Sequence, residues 1–408
     1  MRRETPDHAD AGTPRPAGEA FSPLTSHLSR LRDSEFPWTA EAVYLNAASI
    51  GPLPARTRRA VEEFAALRAA PHRMQARHFF PLLADARRLA ARLINADPDE
   101  IALAPNTSYG INLAARSLPL APGDVVLVPD REFPANVYPW LALRDRGVTV
   151  EIAPVTAQGW PDEALLLERV ADPRVRVLAV SLVQFGSGYA VDLGRLSRAC
   201  RDTGTWLVVD AIQGLGQLPV DVRETPVDVL ACGGQKWLLS PWGSGFVYVR
   251  RALFDRLPPA DVGWMAYDGT DDLNRLTDYG ETLRPNARRY ELVTLPYQDF
   301  AGFVASVGML VDIGVPAVRD HLAEIRTPLL DWAASRGVPV SSPVDPVHAS
   351  AIVCLELPDA PRAYAALRRA GIVTALREGS IRVSPHLYNT EDDLRRVGEV
   401  LDEVRGER

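Results

Sequence analysis

The sequence is almost without lysine. Of its 408 residues 45 are basic, and all but one of these are arginine, so that Lys236 is the single lysine. A GC-rich genome explains the preference for arginine codons, but it does not explain where the one lysine remains. Arginine replaces lysine at most surface sites, yet a guanidinium cannot serve where chemistry needs a primary amine that loses its proton. Lys236 is therefore a candidate catalytic residue.

Cysteine, net positive charge and long apolar runs are also scarce. Cys200, Cys232 and Cys354 cannot all pair and lack metal-ligand spacing, which predicts neither disulfides nor a metal site and favours a reducing compartment. The net charge of −7 gives no electrostatic basis for binding nucleic acid or an anionic membrane. No apolar run approaches the roughly 18 residues of a spanning helix, and no signal-peptide core follows the N-terminal arginines. We expect a cytoplasmic protein.

What the sequence does contain is an alternation of short apolar runs and amphipathic stretches. Apolar runs bounded by turn residues predict strands at 125–128, 148–152, 177–182, 206–209 and 246–249. Periodic stretches predict helices at 56–70, 82–94 and 193–201. Such an alternation is typical of an α/β domain whose mainly parallel sheet is covered by helices on both faces. Beyond residue 300 the pattern predicts a smaller α+β domain, with helices at 300–313, 317–334, 362–370 and 391–404 and strands at 351–357 and 381–384.

Two charged residues follow two of the apolar stretches. Asp210 stands at the C-terminal end of the predicted strand 206–209, where open α/β sheets form their ligand sites. Lys236 follows the apolar stretch 227–231 and two glycines, which allow a bound group close to the backbone. A lone aspartate there is more often a cap or turn residue, but the company of the only lysine favours a site. An aldehyde cofactor with a pyridine ring needs this pair, since a carboxylate keeps the ring nitrogen protonated and a lysine carries the aldehyde.

Three further segments offer the remaining contacts of such a cofactor. Thr107 or Ser108 is a good N-cap before a helical pattern, and neighbouring amides there could hold a phosphate. Phe133 follows the strand 125–128 and offers a flat face for a ring. Gln213, one helical turn beyond Asp210, could donate to a ring hydroxyl. Each of these residues alone would more often have a purely structural role.

Taken together, these segments resemble the class V aminotransferase family. This family is the branch of fold-type I pyridoxal 5′-phosphate (PLP) enzymes that contains cysteine desulfurases, selenocysteine lyases, kynureninases and isopenicillin N epimerase-like proteins. The likeness begins with the segment 44–52 (YLNAASIGP), continues through Asp210–Gln213 and Gln235–Trp237, and ends with 381–390 (IRVSPHLYNT). Residues 1–24 are rich in proline, aspartate, threonine, alanine and glycine with almost no large apolar residues, which predicts a disordered tail. With the resemblance, the rest of the chain is expected to form a segment contributing to the small domain and the substrate cleft (25–55), a large PLP-binding α/β domain (56–300) and a small α+β domain (301–408).

The resemblance also implies roles for individual residues. Lys236 forms the Schiff base with PLP and acts on the substrate, and Asp210 is the partner of the pyridine nitrogen. The other implied cofactor contacts are those of Gln213, Thr107, Ser108, Phe133 and Gln184. Arg382 is expected to bind the substrate α-carboxylate, for which a two-pronged donor is well suited, with Asn46 and Ser49 lining the substrate cleft. Thr294 matches a position that reaches the phosphate of the neighbouring subunit, which implies a homodimer, although Val293 stands where that motif commonly has glycine.

Departures from the family pattern bear on the reaction. Gln235 precedes the lysine where histidine is common, Gly233 stands where desulfurases supply a serine, and Phe133 stands where they use histidine. The segment 374–380 contains no cysteine, although desulfurases that pass sulfur to a protein persulfide need a mobile thiol there. The three cysteines lie in helix- and strand-like patterns and are expected to be buried. Persulfide transfer is therefore disfavoured.

Several reactions share the first steps that the resemblance implies. An amino-acid substrate displaces Lys236 to form an external aldimine, and the freed amine removes the α-proton. Loss of a thiol or sulfoxide group from the β-carbon would make the protein a carbon–sulfur lyase, which we favour. Transamination and epimerisation remain open, and epimerisation needs a second proton donor that the sequence does not identify. A non-catalytic PLP-binding or regulatory protein is a further alternative, since a fold alone never proves an activity.

Overall fold

The computed structural model describes residues 23–292 and 294–406. Residues 1–22 of the predicted disordered tail lie outside the described residues, and the first helix begins at Pro23. The strands are β1 (Val43–Tyr44), β2 (Ile101–Ala104), β3 (Val125–Pro129), β4 (Thr149–Ala153), β5 (Val175–Ser181), β6 (Trp206–Asp210), β7 (Val229–Gly233), β8 (Gly245–Val249), β9 (Val353–Leu355), β10 (Ile372–Val373), β11 (Ala375–Arg377) and β12 (Ser380–Val383).

Helices alternate with these strands through most of the described chain. They are α1 (Pro23–Glu35), α2 (Ala55–Ala69), α3 (Phe80–Ile94), α4 (Thr107–Ser117), α5 (Tyr138–Leu141), α6 (Glu163–Val170), α7 (Leu193–Thr203), α8 (Tyr297–Ile313), α9 (Val315–Ile325), α10 (Thr327–Ser335), α11 (Ala360–Arg369) and α12 (Glu391–Gly406). The α/β fold with a mainly parallel sheet is therefore confirmed.

The main sheet has seven strands in the order β2-β8-β7-β6-β5-β3-β4. Every residue of β2, β3, β6, β7 and β8 is buried, because helices cover both faces. Only β8 runs against the other strands. Strand β2 was not predicted, since its four residues, Ile-Ala-Leu-Ala, are too few to show a period.

One predicted helix is wrong in its continuity. The pattern 317–334 predicts a single helix, whereas the structure has α9 and α10 with a break at Arg326. Pro328 lies in the first turn of α10, where a proline lacks no helical hydrogen bond but prevents the preceding helix from continuing. The apolar periodicity continues across the break, so the pattern alone does not reveal it.

The ends of the chain meet in a second layer of structure. Strands β11, β12 and β9 form a small antiparallel sheet, and β1 pairs in parallel with β10. The predicted boundary at residue 300 falls inside α8, which packs against α2 and α3. Within the described ranges no single helix is long and apolar enough to cross a membrane; only α8 together with Val315–Ser335, bent by 76°, passes that test as a pair.

Candidate active site

The carboxyl ends of three parallel strands bring the central charged residues together. Asp210 ends β6 and lies between Ser181 of β5 and Ala231 of β7 in the register of the sheet. Lys236 follows β7 in a short loop. Because these strands run in the same direction, their last residues lie at one edge of the sheet. The structure thus places the predicted acid and the predicted amine at the same edge.

The loop that carries Lys236 is held by the N-terminal segment. Gly51 N donates to Gln235 O at 2.8 Å, and a Cβ at Gly51 would stand only 1.9 Å from Lys236 O. No side chain fits there, so this glycine is needed for the close approach of the two backbones. On the other side, His386 bonds to Trp237 O at 3.0 Å, and burial lowers the pKa of His386 to about 4.

Burial shifts the pKa of both central groups toward neutrality. The pKa of Lys236 is lowered to about 8, first by burial and further by Arg382 and Arg377, while Asp210 opposes the shift. The pKa of Asp210 is raised to about 6 by burial, against a hydrogen bond from Ile212 N at 3.0 Å and the charge of Lys236. An amine with such a pKa can exchange a proton near neutral pH, as a catalytic base must.

Phe133 lies beside the lysine. The Lys236 Nζ is 5.4 Å from the centroid of the Phe133 ring, and Phe185 packs edge-on against that ring at 5.4 Å. The Phe133 side chain is nevertheless 43% exposed. A large apolar side chain at this position leaves a flat face available for another ring.

The two predicted glutamines are buried and partly satisfied. Gln213 donates through Nε2 to Ala48 O at 3.0 Å and accepts from Trp237 Nε1 at 2.8 Å, which leaves one N–H of its amide. Gln184 donates to Glu132 Oε1 at 2.7 Å, but its own Oε1 is buried without a hydrogen-bond partner. Both amides therefore retain capacity for a bound molecule.

The first turn of α4 forms the predicted phosphate region with one correction. The N-cap is Asn106, whose Oδ1 accepts from Tyr109 N at 2.9 Å, and not Thr107 or Ser108. The hydroxyl of the buried Thr107 accepts from Gly233 N at 2.9 Å, while Ser108 is exposed. The extended backbone of Asn106 explains the shift, since a cap residue must lie outside the helical conformation. The first amides of the helix remain available to an anion.

The predicted substrate residues converge from the two ends of the chain. Arg382 of β12 is buried and donates through Nη2 to Ser49 Oγ at 2.7 Å and through Nη1 to Phe185 O at 2.8 Å. Its Nε is buried without a hydrogen-bond partner, and so is the side-chain Oδ1 of Asn46, a residue whose backbone forms a β-bridge with Ser384. Burial lowers the pKa of Arg382 to about 10. Such incomplete satisfaction is costly unless a ligand completes it.

Thr294 is not part of this convergence within one chain. It is exposed and makes no hydrogen bond to the other predicted site residues described here. Val293, the departure from the family pattern beside it, lies outside the described residues.

Two residues of the site were missed in the sequence. Glu132 is buried and accepts from Ser181 N at 2.6 Å, from Ser181 Oγ and from Gln184, and burial raises its pKa to about 7. The Nη2 atom of Arg377 in β11 lies 3.5 Å from Ser49 Oγ, and its charge helps to lower the pKa of Lys236. The only signal for Glu132 was its position after β3, beside Phe133.

These residues fit PLP by observations that are independent of one another. Asp210 is a buried carboxylate whose Oδ2 receives no hydrogen bond in the described part of the chain, which suits a pyridinium N–H. Beside it stand an amine with a lowered pKa and an exposed aromatic face. The helix N-terminus at Thr107 can receive a phosphate. The Thr107 hydroxyl accepts from Gly233 N, three residues before Lys236.

Comparison with known proteins decides the family. The model of the family "Aminotransferase class-V" matches residues 43–397. The chain belongs to the class V aminotransferase family. As a member of this family it is a PLP-dependent enzyme with the fold-type I architecture, and these predictions are confirmed.

Named class V aminotransferase relatives cover almost the whole chain. A probable cysteine desulfurase of Methanothermobacter thermautotrophicus is 30% identical, covering 91% of this chain and 97% of its own. Isopenicillin N epimerase of Amycolatopsis lactamdurans is 31% identical over 88% of this chain and 94% of its own. The crystal structure of the cysteine desulfurase CsdA of Escherichia coli superposes with a TM-score of 0.81 at 25% identity, covering 95% of this chain and 99% of that one.

Proposed function

We propose that this enzyme holds PLP on Lys236 and cleaves the carbon–sulfur bond of a cysteine-type amino acid by β-elimination. The observation that carries the proposal is the position of the single lysine. Its amine lies over the ring of Phe133, and burial together with the charge of Arg382 lowers its pKa. Relatives named as cysteine desulfurases agree with sulfur chemistry.

Six residues of the chain would hold the cofactor, in addition to Lys236. When bound, PLP supplies an aldehyde that condenses with amines and a ring that withdraws electrons from a breaking bond at the substrate α-carbon. Asp210 would stabilise the protonated ring nitrogen through a charge-assisted hydrogen bond. Such bonds contribute about 1.5–3 kcal/mol. Phe133 would pack on the ring, and the remaining N–H of Gln213 would donate to its hydroxyl. Thr107, Ser108 and Gln184 complete the contacts.

Arg382 and Lys236 divide the work on the substrate. The Arg382 guanidinium binds the α-carboxylate, with Ser49 and Asn46 beside it. This contact directs the α-hydrogen toward the Lys236 amine, which removes the proton from the α-carbon. Because burial and the two arginines lower the pKa of Lys236 to about 8, a usable fraction of the amine is uncharged near neutral pH.

The leaving sulfur is released and not passed to a protein thiol. Cys200, Cys232 and Cys354 are all buried. Burial raises the pKa of Cys354 to about 11 and of Cys200 to about 12, and that of Cys232 well above its ordinary range. A thiol attacks as its thiolate, so none of the three is suited to accept sulfur. The segment without cysteine, 374–380, includes β11, the two-residue turn and the first residue of β12, which together form a tight hairpin.

Transamination is the second candidate, because Lys236 alone could carry its proton transfers. Epimerisation is less favoured, since it needs an acid on the face opposite the lysine. Phe133 stands where desulfurases carry histidine, and a hydrocarbon ring donates no proton. A non-catalytic role is weakened by the meeting of Lys236, Asp210 and Arg382 in one cleft.

We further propose a homodimer in which Thr294 approaches the phosphate of the other subunit. Large apolar side chains are exposed, with Trp242 at 65% and Tyr279 at 85%. Thr294 is exposed as well. Aromatic side chains are enriched in protein–protein interfaces, so these two are candidates for the buried face of a dimer. Sedimentation of the holoenzyme tests this proposal, and a monomer at all concentrations would contradict it.

The test of the reaction is a product assay on the holoenzyme. Cysteine, S-substituted cysteines and other amino acids are mixed with the enzyme, with and without a keto acid. β-Elimination is expected to yield pyruvate, ammonia and the free thiol in equal amounts without a keto acid. Amino transfer that depends strictly on the keto acid would replace the lyase by the second candidate.

A further inference from the structure

The β11–β12 hairpin presents two arginines on one face. Its register sets Ala375 opposite Arg382 and Arg377 opposite Ser380. Residues directly opposite one another share a face of a sheet, as do residues two apart along a strand. Arg377 and Arg382 are therefore diagonal neighbours, about 7–8 Å apart at the backbone, within reach of long side chains.

Both guanidinium groups approach one hydroxyl. Ser49 Oγ accepts from Arg382 at 2.7 Å and lies 3.5 Å from Arg377 Nη2. The other partners of the two arginines are backbone carbonyls, Phe185 O and Leu376 O. In the described ranges neither has a carboxylate within ion-pair distance. Two positive charges thus meet without an acid between them.

Some exposed arginines of the molecule are neutralised by an acid of the same chain. Arg336 pairs with Asp402 at 2.8 Å, and Arg174 pairs with Asp172 at 2.8 Å. Arg377 has an acid beside it in sequence, Glu378, yet does not pair with it. The Glu378 Cγ instead lies 3.6 Å from where a Cβ on Gly186 would stand. Arg377 therefore has no carboxylate partner in the described part of the chain, and what sets it apart is its approach to Ser49 beside Arg382.

The hairpin also fixes the position of Arg377. Its turn consists of Glu378 and Gly379, both with positive φ, at 46° and 81°. Two such residues make the tight turn that matches the twist of an antiparallel pair. The first residue after it, Ser380, is already paired with Arg377. Arg377 is held on a short, regular hairpin and not on a long loop.

We infer that Arg377 binds a second anionic group, carried on the side chain of the substrate, while Arg382 binds the α-carboxylate. This inference rests on the proposed function. The substrate class is then a cysteine S-conjugate whose substituent ends in a carboxylate. Arg382 is buried and Arg377 is exposed, so a substituent that extends from the β-carbon toward solvent passes from the first arginine to the second.

The ordinary alternative is that Arg377 is a hydrated surface charge. The two accounts differ in one measurable respect. A hydrated arginine gives no preference between a carboxylate and an amide of the same shape. An arginine that binds the substrate gives a preference on the order of tenfold, because charge-assisted hydrogen bonds are about twice as strong as neutral ones.

The test compares two nearly isosteric substrates on the holoenzyme. S-Carboxymethyl-L-cysteine and its amide, S-carbamoylmethyl-L-cysteine, are assayed for pyruvate over a range of concentrations. We expect the acid to have a KM at least about tenfold lower than the amide, with similar kcat. Equal KM values would overturn the inference.

Variants of the arginine then locate the preference. Arg377→Met is expected to raise KM for the acid to that for the amide, and Arg377→Lys to restore part of the difference. Arg369→Met, an exposed arginine at the end of α11, serves as the control and should leave the preference intact. A preference that survives in Arg377→Met would overturn the assignment to Arg377.

Failure of the inference can be told apart from failure of the proposed function. Binding alone is measured by the change in the visible spectrum of the holoenzyme on adding L-aspartate or its isostere L-asparagine. If neither conjugate yields pyruvate but aspartate binds more tightly than asparagine in an Arg377-dependent way, the lyase proposal fails and the anion site stands. If both conjugates are cleaved with equal KM, the lyase proposal stands and the anion site at Arg377 fails.

Discussion

The two halves of the cleft are built in different ways. The strand-end half, formed by Thr107, Asp210 and Lys236, stands on the main sheet and combines one acid with one amine. The hairpin half, formed by Ser49, Arg377 and Arg382, joins positions as far as 333 residues apart and holds two positive charges without an acid. The first half is suited to moving protons and the second to binding anions. Substitutions in the first should therefore reduce turnover, and those in the second should reduce affinity.

The largest effect is expected from Lys236→Ala. Proton transfer by a placed amine contributes about 10²- to 10⁴-fold in rate, so kcat should fall by at least that factor. The visible absorbance of the covalently held cofactor should disappear as well. Arg369→Ala provides the control for an altered basic residue. Turnover that persists in Lys236→Ala with an unchanged spectrum would place the chemistry elsewhere.

Asp210→Asn should separate catalysis from stability. Loss of the charge-assisted hydrogen bond, worth about 1.5–3 kcal/mol, should lower kcat roughly 10- to 150-fold. In the protein without cofactor, the same substitution should instead stabilise the fold near neutral pH. Because burial raises the pKa of Asp210 from 3.8 to about 6, the folded protein holds this proton more tightly than the unfolded chain. The free energy of unfolding therefore falls as pH rises through this range, by up to ~3 kcal/mol.

The measurement is denaturant unfolding of the cofactor-free protein between pH 4 and pH 7. We expect wild type to lose stability over this interval and Asp210→Asn to lose less of it. A variant that is less stable than wild type at pH 7 would show that the carboxylate stabilises the fold, contrary to this account.

On the hairpin half, Arg382→Lys should change affinity more than rate. Lysine keeps the charge but cannot donate at once to Ser49 Oγ, Phe185 O and a carboxylate, as the guanidinium fork can. KM should rise about tenfold, while kcat changes less. Steady-state kinetics with S-carboxymethyl-L-cysteine measures both values. A fall in kcat with unchanged KM would contradict the division of the cleft into two functional halves.

The same contrast explains what the sequence could predict. Asp210 and Lys236 each follow an apolar strand, so their meeting follows from the rule that parallel strands end at one edge. The proximity of Ser49 and Arg382 came instead from a family resemblance, since no local pattern connects the two ends of the chain. Arg377 was missed because its position beside Arg382 depends on the register of a hairpin, and a single sequence does not reveal strand register.

The remaining discrepancies have local causes. Asn106 and not its neighbours caps α4, since several adjacent residue types are good caps and the backbone decides among them. The break before α10 follows from Pro328, which is as acceptable in a first turn as it is disruptive inside a helix. The division of the chain into a tail, an N-terminal segment, a large domain and a small domain stays a prediction.

The smallest effect on activity is expected from Glu132→Gln. Glutamine keeps an acceptor for Ser181 N and for Gln184, so kcat should stay within about twofold of wild type. Stability should respond instead, because burial raises the pKa of Glu132 from 4.5 to about 7. The folded state favours the protonated acid, so ionisation lowers the free energy of unfolding as pH rises from 4.5 to 7. Glutamine cannot ionise and should escape this loss, which is up to ~3 kcal/mol.

Melting temperature measured against pH checks this expectation, with Glu399→Gln as an exposed control. The difference in Tm between Glu132→Gln and wild type should shift in favour of the variant as pH rises from 4.5 to 7, whereas that of the control should stay constant. A large fall in kcat would instead give Glu132 a direct part in the reaction. Because Glu132 directly precedes Phe133 and accepts hydrogen bonds from Gln184 and from Ser181 at the end of β5, that outcome would extend the strand-end half beyond Thr107, Asp210 and Lys236.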